Sequence, residues 1–93
     1  MKEAGLQKRI LEYLRAAGCY VFKPVGSMGQ QRGTPDLLIC NRGLFIAAEI
    51  KIRGNEPDAM QFHEMEKIKR AGGTAEVVHR LEEMERIISA ARV

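Results

Sequence analysis

Residues 33–51 read GTPDLLICNRGLFIAAEIK. Two apolar runs flank a short polar break, Asn41-Arg42-Gly43. Runs of this length bounded by turn residues predict strands, here Asp36–Cys40 and Leu44–Ile52, and the break predicts a hairpin between them. Side chains alternate faces along a strand. Leu44, Ile46, Ala48, Ile50 and Ile52 then form one wholly apolar face. Phe45, Ala47, Glu49, Lys51 and Arg53 form the other, which starts apolar and turns charged. Glu49 and Lys51 point the same way, about 6.6 Å apart at ~3.3 Å per residue. In an antiparallel hairpin, Asp36 at the start of one strand comes back to Glu49 near the end of the next. Two carboxylates and an ammonium are expected at one rim of a sheet.

Outward from the hairpin, residues 2–17 predict a helix with an apolar stripe of Leu6, Ile10, Leu14 and Ala17, ended by Gly18. Cys19–Lys23 (CYVFK) predicts a short strand. Pro24–Pro35 (PVGSMGQQRGTP) predicts a loop, long enough to suggest a functional role. Pro57 opens a predicted helix that runs to about Ala71 and stops at Gly72-Gly73. Ala75–His79 predicts a fourth strand. Leu81 to about Arg92 predicts a closing helix with Leu81, Met84, Ile87, Ile88 and Ala91 inward. The expected order is α-β-β-β-α-β-α, an α/β domain with a four-stranded sheet flanked by helices.

The 93 residues predict one domain, 1–93, with a single modest core. Net charge is +3 and the pI near 9.1, which permits a polyanion partner without requiring one. Cys19 and Cys40 lack CxxC spacing and sit in apolar runs, so both are expected as reduced core thiols. Charged and polar residues interrupt the N-terminal segment, and no apolar run approaches membrane-spanning length. A cytoplasmic setting is the expectation. No Walker loop, dinucleotide fingerprint or Ser-His-Asp arrangement appears.

Neighbouring carboxylates repel unless something positive lies between them. A hard divalent cation, Mg²⁺ or Mn²⁺, fills that role with oxygen ligands. It activates water and stabilises charge on a phosphoryl oxygen. A lysine beside it orients the water or balances transition-state charge. The competing interpretation is a Glu49–Lys51 surface pair of little consequence. Glu3 lies within about 20° of Ile10 and Leu14 on a helical wheel, on the inward stripe. It is either a site acid or a first-turn acid complementing the helix dipole. Gln61 aligns with Met65 and Ile68 on the inward face, as a site amide or a residue at the stripe margin.

Together these pieces resemble the PD-(D/E)xK nuclease pattern: an acid on the first helix, GTPD at 33–36, EIK at 49–51, Gln61, and a helix ending in AGG at 71–73. More narrowly, the chain resembles small stand-alone VRR-NUC domains of phage and bacterial origin. The resemblance spans nearly the whole chain. It implies a restriction-endonuclease-like core with a mixed sheet. It also implies a metal-dependent DNA endonuclease, Holliday junction resolvase-like and homodimeric, in a bacterial or phage-infected cell. Asp36, Glu49 and the backbone carbonyl of Ile50 would ligate Mg²⁺ or Mn²⁺, with Glu3 joining directly or through water. Lys51 would be the catalytic lysine and Gln61 would orient it or the water. Ala47 and Ala48 depart from the bulkier residues common on the third strand, which bears on packing.

Lys23, Gln30, Arg32 and Arg53 are candidate DNA contacts, from their position in or near the loop and on the Glu49/Lys51 face. For the loop the alternative is a simple connection; for Arg53 it is a solvated strand end. His63 is expected in solvent, and His79 ends a strand with no assigned partner. Lys67, Lys69 and Arg70 suit the end of a helix dipole. Two other functions remain open: a DNA- or protein-binding module on a nuclease fold without turnover, and a sequence-specific restriction-like enzyme.

Overall fold

The computed structural model describes residues 2–25 and 32–90. The element order is α1 (Glu3–Ala16), β1 (Tyr20–Phe22), β2 (Leu37–Asn41), β3 (Leu44–Ile50), α2 (Ala59–Arg70), β4 (Thr74–Val78) and α3 (Leu81–Ala90). The strands form one sheet in the order β1-β2-β3-β4. β1–β2 and β2–β3 are antiparallel, and β3–β4 is parallel, joined by the α2 crossover. The α/β class, the element order and the mixed four-stranded sheet agree with expectation. Where both are described, element ends differ by one or two residues; the expected end of the last helix, at Ala91 and Arg92, lies outside the described residues.

The hairpin turn is tight because Asn41 pairs directly with Leu44. Arg42 and Gly43 between them both have positive φ, 54° and 85°, the signature of the two-residue turn that matches strand twist. Pro57 is not the first residue of α2. It is buried just ahead of Asp58, which caps the helix. The Asp58 side chain accepts from Gln61 N at 2.9 Å, and Gln61 Oε1 accepts from Asp58 N at 2.8 Å. This reciprocal box satisfies two N–H groups that a helix start leaves without intrahelical partners.

The sheet separates two apolar layers. On one face Ile46, Ala48 and Ile50 of β3 pack with Leu37, Ile39 and Val78 against Leu6, Ile10 and Leu14 of α1 and Met84 and Ile88 of α3. On the other, Ala47, Ala75 and Met65 of α2 form a smaller cluster with Leu38, Ile68 and Val77. The alternation expected for β3 therefore holds from Ile46 to Ile50, and the two alanines that depart from bulkier residues both end fully buried, one in each layer. Cys19 is buried as expected. Cys40 is exposed, because β2 alternates and α2 does not reach far enough to cover it. Asn41 is buried, and its amide donates to Ile88 O at 3.5 Å while its oxygen receives Cys19 Sγ at 3.7 Å. Lys67 and Lys69 pair with Glu64 and Glu66 along α2, an intrahelical use of the basic cluster.

Candidate active site

The β2–β3 register runs down to Leu37↔Ala48. One step further, Asp36 and Glu49 face each other, and side chains replace the ladder. Asp36 N donates to Glu49 Oε1 at 3.1 Å. Ile50 N donates to Asp36 Oδ2 at 2.8 Å. Glu49 is thereby fixed against the backbone of Asp36, and Asp36 against that of Ile50, the residue after Glu49. They share the α2 face of the sheet, since Ala48 and Ile50, in the other phase of β3, pack toward α1 and α3.

Glu49 is 1% exposed, and its Oε2 has no hydrogen-bond partner among the described residues. A buried carboxylate oxygen without a partner is costly. Its carboxyl is pushed up from the usual 4.5 to about 8, first by burial, then by the charge of Asp36 and by carboxyl–carboxyl contact. Lys51 and the Asp36 N–H pull the other way. The centre is thus short of positive charge. That is the condition a hard cation relieves, so the Asp36–Glu49 pair fits a divalent metal by the chemistry of its donors.

Lys51 follows two residues on and is half-buried. Its backbone is held at both ends. Lys51 N donates to Val78 O at 3.0 Å, and His79 Nδ1 lies 2.9 Å from Lys51 O. A carbonyl only accepts, so Nδ1 carries the hydrogen in this contact. His79 N in turn donates to Glu83 Oε1 at 2.7 Å. His79 is a supporting residue that the sequence does not reveal, because its partner is set by the parallel register of β4 on β3.

Gly33 shows why the GTPD segment is placed so closely. Its φ is +81°, and a Cβ there would lie 2.5 Å from Met60 O and 3.2 Å from Gln61 N. The backbone leading into Asp36 rests directly on the first turn of α2, where only glycine fits.

The other candidates are arranged differently. Glu3 is half-buried, and its carboxylate accepts from Asn55 Nδ2 at 3.2 Å. Among the described residues no three His, Cys, Asp or Glu side chains gather as a metal-ligating set, so Glu3 does not close on the Asp36–Glu49 pair. Gln61 spends its side-chain oxygen on the α2 cap, beside Gly33. Lys23, Arg32 and Arg53 are exposed. Arg53 does not continue the Glu49/Lys51 face as expected, because β3 ends at Ile50 and the chain turns, bringing Arg53 to a hollow with Leu6 of α1 and Leu81 of α3. Gln30 lies outside the described residues.

A nuclease fold of the VRR-NUC type is what this sheet, crossover and paired acid rim define. A solved structure described as a VRR_NUC domain is similar to the chain at 30% identity, covering 96% of each chain with a TM-score of 0.79. The family model for the archaeal Holliday junction resolvase (Hjc) matches residues 2–92, and the chain belongs to that family. A search of curated proteins finds no match.

Proposed function

We propose that this protein is a divalent-metal-dependent endonuclease that hydrolyses phosphodiester bonds in branched DNA as a homodimer. The observation that carries this reading is the buried Glu49 carboxylate, with Oε1 held by Asp36 N and Oε2 without a partner among the described residues, and Lys51 two residues on. Family membership supports DNA as the substrate and a junction as its form.

Asp36, Glu49 and the Ile50 carbonyl would hold Mg²⁺ or Mn²⁺. Bound there, such an ion supplies Lewis-acid stabilisation of the phosphoryl oxygen and makes water a better nucleophile at neutral pH. The chain's own groups do the positioning. Asp36 N and Ile50 N keep the two carboxylates in fixed orientation. Lys51, with its backbone anchored at both ends, places an ammonium where negative charge grows in the transition state. Glu3, tied to Asn55, and Gln61, at the α2 cap, would act from the margin of the site. Lys23, Gln30, Arg32 and Arg53 would meet the phosphate backbone.

For the dimer we assign the outer face of β1 and β2 to a second copy. Tyr20 is 71% exposed and Phe22 52% exposed, and with Leu38, Cys40 and Phe45 they line an apolar hollow that α2 leaves uncovered. This face lies on the same side of the sheet as the acids. A junction offers two equivalent strands, and a self-complementary contact presents two equivalent sites to them.

One observation favours the binding-module reading: no third carboxylate joins the pair among the described residues. A substrate panel separates the two. Labelled four-way junction, flap, single strand and plain duplex are incubated with Mg²⁺, Mn²⁺ or EDTA, beside Phe22→Asp. The expected result is metal-dependent cutting strongest on the junction, with paired symmetric cuts. Phe22→Asp should sediment as a monomer and lose the pairing of cuts. Junction binding without cutting under any condition would instead establish the binding module.

A further inference from the structure

We propose a second anion site in this protein, on the α1/α3 side of the sheet, that takes a phosphate group of nucleic acid other than the one being cut. It is a cavity of about 260 Å³ where four chain segments meet. α1 contributes Leu6 and Arg9, the exit of β3 gives Ile52 and Arg53, the exit of β4 gives His79 and Arg80, and α3 opens with Leu81 and Glu82.

The charge of this cavity is what needs explaining. Three arginines from three different segments line one hollow, against a single lining acid, Glu82. Arg80 has a distant partner in Glu83 at 4.0 Å, and His79 Nε2 lies 3.8 Å from Glu56. Neither Arg9 nor Arg53 has an ion-pair partner among the described residues. Like charges brought together repel, and an anion between them removes the repulsion. Guanidinium forks match phosphate oxygens in geometry as well as charge. The first turn of α3 also opens at the cavity, its dipole partly met by its own Glu82 and Glu83, so the attraction for an anion rests on the arginines. An apolar floor of Leu6, Ile52 and Leu81 lowers the local dielectric and strengthens these attractions.

The cavity is linked to the cutting site through one side chain. His79 lines the hollow and its Nδ1 meets Lys51 O at 2.9 Å. A strand phosphate seated here is joined to the Lys51 backbone by the His79 side chain. The ligand is a phosphate in either of two forms, a strand-end monoester or an internal diester. That the phosphate belongs to the substrate rests on the nuclease reading above; the anion site itself does not.

The test is run in EDTA, so that no cutting enters it. Inorganic phosphate is titrated into the ¹⁵N-labelled protein, and amide resonances are followed. Saturable shifts are expected at Arg80, Leu81 and Arg53, and these should disappear in Arg9→Gln/Arg80→Gln. The same pair of proteins is then titrated with flap DNA carrying a 5′-phosphate or a 5′-hydroxyl. The double variant should bind about tenfold more weakly, with a salt dependence shallower by about one to two phosphate contacts. Glu82→Gln should bind a few-fold more tightly, which a folding defect would not produce. A loss confined to 5′-phosphate DNA identifies the strand end; an equal loss on both identifies an internal phosphate. Unshifted resonances together with unchanged DNA affinity and salt slope in the double variant would overturn the proposal. Failure of metal-dependent cutting in the substrate panel would leave these metal-free readouts intact.

Discussion

Glu49→Gln is expected to abolish cleavage and, at the same time, to make the metal-free protein more heat-stable near pH 8. The two effects share one cause. Glu49 is buried beside Asp36, and its carboxyl is pushed up to about 8 from 4.5. Between these values the unfolded chain has released a proton that the folded chain keeps. Stability from this group is therefore complete below pH 4.5 and is lost as pH rises from there through about 8. Glutamine imitates the protonated acid and cannot ionise, so the decline should vanish. The difference between the two proteins near pH 8 should reach the order of a few kcal/mol. Melting curves across this range, without metal, read it directly. Mn²⁺ added at pH 8 should raise the melting temperature of the wild type and leave the variant unmoved, because a cation needs the ionised carboxylate. Parallel pH profiles for the two proteins would show that Glu49 keeps no excess proton in the fold.

Lys51→Ala is expected to lower the cleavage rate by about 10²- to 10⁴-fold while DNA affinity changes little. The side chain leaves a backbone fixed by Val78 on one side and His79 on the other, so its position is imposed by the sheet. Single-turnover rates with saturating enzyme separate the chemical step from binding. Lys51→Arg should not restore the rate, since a planar fork does not reproduce a compact ammonium. A loss in affinity with an unchanged single-turnover rate would make Lys51 a DNA contact and nothing more.

The hairpin at 36–52 is legible in the sequence because each of its signals is local. Alternation gives the faces of β3, and Asn41-Arg42-Gly43 sets a two-residue turn. Those two facts alone bring Asp36 to Glu49, and the short register leaves little room for error. A helical wheel gives Gln61 its face, but it does not show that Asp58 three residues earlier claims the amide oxygen. The apolar neighbours of Cys40 suggest a core position. Its exposure depends on how far α2 extends over the sheet, which no local pattern encodes. His79 and the arginine-lined cavity are hidden for the same reason. Arg9, Arg53 and Arg80 are far apart in sequence and meet only through the parallel β3–β4 pairing and the return of α1 and α3 to one face. The periodicity of α1 is enough to turn Glu3 inward, where it is half-buried, but its bond to Asn55 involves a loop whose path the sequence leaves open.

The whole functional reading turns on Asp36 and Glu49 forming a metal-dependent cutting centre. Cleavage of a labelled four-way junction by wild type and Asp36→Ala, each with Mg²⁺ and with EDTA, bears on this without intermediaries. Cutting is expected only from the wild type with Mg²⁺, with Asp36→Ala still folded and still binding the junction. Equal cutting in EDTA, or by Asp36→Ala, would show that the paired acids are not the centre.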